Sequence, residues 1–92
     1  MASSSEAFEK FWTWKNRKTS IRVTIFVGGQ VEEIVLCRIF GVDKEASQVG
    51  ISAGRDWARV VDFEETEISI ESGRVVATRN DSDWIVFEEI PG

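Results

Sequence analysis

Apolar residues recur every third or fourth position as far as Lys18, and from Thr19 onward they alternate with polar ones. The first period is that of a helix lying on a core, the second that of a strand with one buried face. The pattern predicts a helix over about 4–18, with Phe8, Phe11, Trp12 and the stem of Lys15 as its buried stripe. Trp14 falls well around the helix from that stripe, which leaves it for the edge of the β region or for a subunit contact, where tryptophan is enriched. Ser3 and Glu6 have the spacing of a capping box. Glu6 and Glu9 come early and Lys15, Arg17 and Lys18 late, an order that complements the helix dipole.

The β region runs over about 20–90. Ser20 to Val27 alternates cleanly, and Gly28-Gly29 supplies the positive-φ pair of a tight hairpin. Val31 to about Val42 is too long, and too continuously apolar from Ile34 to Phe40, for a strand with one buried face. A strongly bent strand serving two sheets, or one with a face against a neighbouring subunit, accounts for it. Further strands are predicted around Val49–Ile51, over Trp57–Phe63 and Glu67–Glu71, then over Arg74–Thr78 and Trp84–Ile90, with turns at Glu64-Glu65, Ser72-Gly73 and Asn80–Asp83. Six or seven short strands behind one helix point to a mainly β fold, a small, strongly bent β-barrel with one N-terminal helix. With 92 residues the chain is read as a single domain, 1–92. Four Trp and six Phe give it bulky core material. Trp57 and Trp84 each open a strand, where an aromatic plugs a barrel end or offers a stacking face.

Charge and chemistry narrow the functional classes. Residues 1–46 carry seven Lys/Arg and six Asp/Glu, residues 47–92 four Arg and ten acids, so nearly all of the net charge of −5 sits in the second half. So acidic a chain is disfavoured as a general nucleic-acid binder. Lys15, Arg17, Lys18 and Arg22 are the exception, read either as dipole compensation or as a phosphate-positioning patch. The chain has no histidine and no tyrosine, which removes the commonest general base and metal ligand. The single cysteine, Cys37, lies in an apolar run and reads as a core residue rather than a nucleophile. Asn80, Asp81 and Asp83 lack the glycine and distal glutamate of a calcium loop. No catalytic residue, metal site or cofactor is therefore assigned. No segment reads as a signal peptide or a membrane span, so the expectation is a soluble, cytoplasmic protein.

Two stretches add a family resemblance. Val23-Thr-Ile-Phe-Val-Gly-Gly-Gln-Val followed by Ile39-Phe-Gly-Val-Asp is similar to the first motif of the Sm-like family. Val75-Val-Ala-Thr-Arg-Asn-Asp-Ser-Asp-Trp-Ile-Val-Phe resembles its second. Gly41 stands where the family has an aspartate, Glu45 where it has a base-contacting asparagine, and the Arg-Gly pair becomes Arg79-Asn80. The resemblance implies ring-forming subunits joined by strand edges, with the RNA site reduced to Arg79. Two functional expectations result. The first is a non-catalytic interaction or assembly module, a homo-oligomer or the partner of another protein, with Trp14 and Trp57 at the interface. The second is single-stranded RNA binding by Arg79 and Asn80, with Lys15 and Lys18 on phosphates.

Overall fold

A computed structural model describes residues 4–90. It has one helix, α1 (Ser4–Arg17), and seven strands: β1 (Ile21–Val27), β2 (Gln30–Asp43), β3 (Gln48–Ala53), β4 (Trp57–Asp62), β5 (Glu67–Glu71), β6 (Arg74–Thr78) and β7 (Trp84–Glu89). The fold is mainly β, as the alternation predicts. Ser3, half of the expected capping box, lies outside the described residues.

The strands form one antiparallel sheet in the order β4-β3-β2-β1-β7-β6-β5. β2 is the long strand that serves two ladders: its first half pairs with β1, from Gln30 to Cys37, and its second with β3, from Arg38 to Asp43. β1 joins the two ends of the chain by pairing with β7 as well. β4 and β5 are the terminal strands and share no ladder, so the sheet curls around its core without a hydrogen-bonded seam. Both edges are short, six and five residues, which limits the unpaired backbone they present.

The inner face carries Ile21 and Val23 of β1, Cys37 and Ile39 of β2, Val49 and Ile51 of β3, Val75 and Ala77 of β6 and Phe87 of β7. Helix α1 packs over β2 and β5 and closes this core with Ala7, Phe8, Phe11 and Trp14. Phe11 is its hub. Its ring stacks on Phe63 at 5.7 Å and meets Phe87 edge-on at 5.1 Å and Phe8 edge-on at 5.7 Å. Edge and offset contacts of this kind suit the ring quadrupoles and add to the burial itself.

The helix phase corrects the expected stripe. Trp12 is 44% exposed, whereas Trp14 is 1% exposed. The buried set is Ala7, Phe8, Phe11 and Trp14, centred on Phe11. At about 100° per residue Trp14 stands nearer to Phe11 than Trp12 does. Leaving the small Ala7 out of the stripe rotates its apparent centre toward Trp12. Trp14 is therefore internal to the chain and unavailable as the subunit contact expected of it.

Candidate functional site

Arg79 ends the β6 strand's extension into the β6–β7 loop, at a mouth of the curled sheet. A cavity of about 170 Å³ opens there, backed by Ile25, Ala77, Ile85 and Phe63 and walled by Phe26 and Trp84. Those last two rings stack at 4.7 Å, nearly parallel, so Trp84 lines the mouth where the pattern allowed it to plug an end. Asp62 and Asp83 flank Arg79 in the same cavity. Both carboxyls are held below their ordinary range. For Asp83 the main cause is the hydrogen bond donated by the Asn80 amide, followed by the Gly28 N–H, with Arg79 adding a Coulombic pull. For Asp62 it is the Glu64 N–H, then the Gln48 amide, with Arg79 contributing again. Glu64 and Glu65 line an adjoining surface recess together with Asp62 and Arg79. The guanidinium thus stands among four carboxylates without entering ion-pair contact with any of them.

Asn80, expected beside Arg79 at a nucleic-acid-binding loop, closes that loop on itself. Its Oδ1 accepts from the Ser82 N–H, the Ser82 hydroxyl and the Asp83 N–H, and its Nδ2 donates to Asp83. Such side-chain-to-backbone closure is how asparagine builds a turn. With its oxygen committed to the loop, Asn80 has no acceptor left for a base edge.

Lys15 and Lys18 lie elsewhere. Lys15 holds its ammonium 5.0 Å from the centre of the Trp12 ring, a cation–π contact on the exposed side of α1. Lys18 adopts φ 53° and caps the helix: its N–H donates to the Lys15 carbonyl and the Thr19 N–H to the Trp14 carbonyl. This is a Schellman closure with lysine in the left-handed position. Lys18 precedes β1, and the loop carrying Asp83 bonds to Gly28 beyond its far end. A seven-residue strand separates the two regions by on the order of 20 Å. The structure does not bring Lys15 and Lys18 together with Arg79 and Asn80.

Trp57 is partly buried against the core, with the Arg59 guanidinium 5.1 Å over its ring and Arg59 in turn bonded to Glu33. Cys37 is buried, and loss of solvation pushes its thiol up to about 11, so it is protonated near neutrality. Among the described residues no group of three or more acids or thiols converges as a metal would require. No helix among them is long and apolar enough to cross a membrane.

A feature of a different kind occupies the outer face of β2 and β4. Ile34 is 57% exposed, Leu36 62%, Phe40 50% and Val60 57%. The three β2 residues fall on even positions of the strand, opposite in facing to the buried Cys37 and Ile39. A bulge between Ile39 and Gly41 lays the Phe40 ring over Gly50 of β3, whose register partner on β4 is Val60. The long apolar run in β2 thus has two apolar faces, one covered by the core and one bare.

The chain matches no protein-family model, no curated protein and no solved structure.

Proposed function

We propose that this protein is a non-catalytic small β module that assembles with copies of itself. The observation that carries the reading is the bare outer face of β2 and β4, with Ile34, Leu36, Phe40 and Val60 each half or more exposed. Single apolar residues on a surface are ordinary, but several aligned on one sheet face mark a contact surface. The Sm-like resemblance supports the same class of role. Catalysis finds little support, since the chain lacks histidine and its one thiol is buried and protonated. RNA binding is weakened by the carboxylates around Arg79, which repel phosphate, and by the distance between that residue and the helix-end lysines.

Sedimentation velocity across micromolar to millimolar concentrations tests the reading. The expected result is a mass of two or more chains whose share grows with concentration. A single-chain mass throughout would overturn it.

A further inference from the structure

We infer that two copies of this chain pack face to face through β2–β3–β4, about a twofold axis that runs across the strands at the Phe40–Gly50–Val60 row. The inference rests on the self-association reading and adds to it the surface, the symmetry and the charge contact.

Its basis is the order of rows on that face. The central row is apolar: Phe40 over Gly50, with Val60 beside it. On one side the register places Arg38 opposite Ser52 and Ser52 opposite Ala58. On the other it places Asp43 opposite Gln48 and Gln48 opposite Asp62. Ser52 and Gln48 each lie two residues from Gly50 along β3, so the two flanking rows stand about 6.6 Å from the centre on either side. A twofold axis along the central row turns one flank onto the other. It lays the apolar row on itself and sets Arg38 of one copy against Asp43 of the partner subunit, twice, by symmetry.

The β2 bulge makes this possible. Arg38 and Asp43 are five residues apart, and in an unbroken strand an odd separation puts side chains on opposite faces. The extra residue at Phe40 returns Asp43 to the face that bears Arg38. Arg38 is exposed and makes no ion pair or side-chain hydrogen bond with any described residue. The Asp43 carboxylate uses one oxygen on the Ala46 N–H and keeps the other. A cation and an anion symmetrically placed about an apolar centre form a self-complementary pattern, which favours a second copy over a partner of uniform charge. It also offsets the repulsion between two chains of net charge −5.

Sedimentation equilibrium of the full chain and its charge-reversed variants is the test. Arg38→Glu and Asp43→Lys, each alone, are expected to weaken dimerisation about tenfold or more, because each sets like charges together at both junctions. An equimolar mixture of the two variants is expected to recover dimerisation, since a mixed dimer holds one reversed pair and one original pair. Val60→Arg, exposed on an edge strand, is expected to abolish the dimer while far-UV circular dichroism stays unchanged. It serves as the independent variant if Asp43→Lys loosens the β2–β3 turn. Wild-type self-association that survives both Val60→Arg and Arg38→Glu would overturn this interface and leave the assembly reading standing. Assemblies larger than dimers that ignore these changes would do the same. A wild-type monomer would overturn both.

Discussion

The Phe40 ring covers Gly50 so closely that a Cβ on the glycine would stand 2.6 Å from the ring's Cζ. Gly50 is not among the residues with positive φ, so its backbone does not require glycine; the ring does. Gly50→Ala is therefore expected to drive the Phe40 ring off the sheet. In the single chain, at concentrations too low for pairing, the ring is half exposed and has solvent to move into, and alanine restrains the unfolded chain more than glycine by about 0.5–1 kcal/mol. The net change in stability is expected to stay within about 1 kcal/mol. Loss of the nuclear Overhauser contacts between the Phe40 ring and residue 50, with an unchanged denaturation midpoint, would show it. A loss of several kcal/mol of stability with those contacts retained would contradict it.

The two helix tryptophans are expected to behave oppositely. Trp14 is fully buried against Phe11, and its indole N–H donates to Glu89 Oε1 at 2.8 Å. Trp14→Ala leaves a large cavity and a carboxylate without its donor, at a cost of about 3–5 kcal/mol. Trp12 loses one exposed contact with Lys15, and Trp12→Ala is expected to change stability by about 0.5 kcal/mol or less. Urea denaturation of the two variants separates the cases.

The strand boundaries were legible because alternation and turn chemistry agree: Gly28-Gly29, Ser72-Gly73 and Asn80–Asp83 each close a hairpin where the apolar pattern stops. The helix phase was not legible because Ala7, too small to mark an apolar stripe, is fully buried beside Phe11 in the packed face. The bare face was half legible. The continuous run from Ile34 to Phe40 signalled two apolar faces, but the bulge that sets Arg38 and Asp43 on one of them is a register event between strands, which no single-strand periodicity records. Asn80 shows the same limit at the Arg79 mouth. Its neighbour in the chain suggested a ligand contact, while its hydrogen bonds, all to Ser82 and Asp83, exist only once the loop has closed.

Lys18 is the left-handed residue of the α1 cap, at φ 53°. A side chain bearing a Cβ pays a conformational penalty there that glycine escapes. Lys18→Gly is expected to raise stability by about 0.5–1 kcal/mol, despite losing a cation near the helix end. Thermal unfolding at moderate salt, where the dipole contribution is screened, would read the gain most clearly. A loss of stability would mean that the lysine side chain, rather than the cap geometry, is what the position uses.

Asp83 gives the protein a pH dependence with a definite sign. Its carboxyl lies below the usual range because the Asn80 amide and the Gly28 N–H bond to the ionised form. A group whose folded pKa is depressed supports the fold at pH values above its unfolded pKa, about 3.9. That support disappears as pH falls through the lower folded value. Asn80→Asp keeps an oxygen for the Ser82 and Asp83 N–H groups but replaces the donating amide with a like charge, so the Asp83 carboxyl is expected to titrate at higher pH. Carbon-13 titration of the side-chain carboxyls would follow it directly. In parallel, the stability gap between wild type and variant should be widest above the ordinary carboxylate range and close as both carboxyls become protonated. An unmoved Asp83 midpoint would mean that the Gly28 N–H and Arg79, rather than Asn80, hold the charge at the mouth.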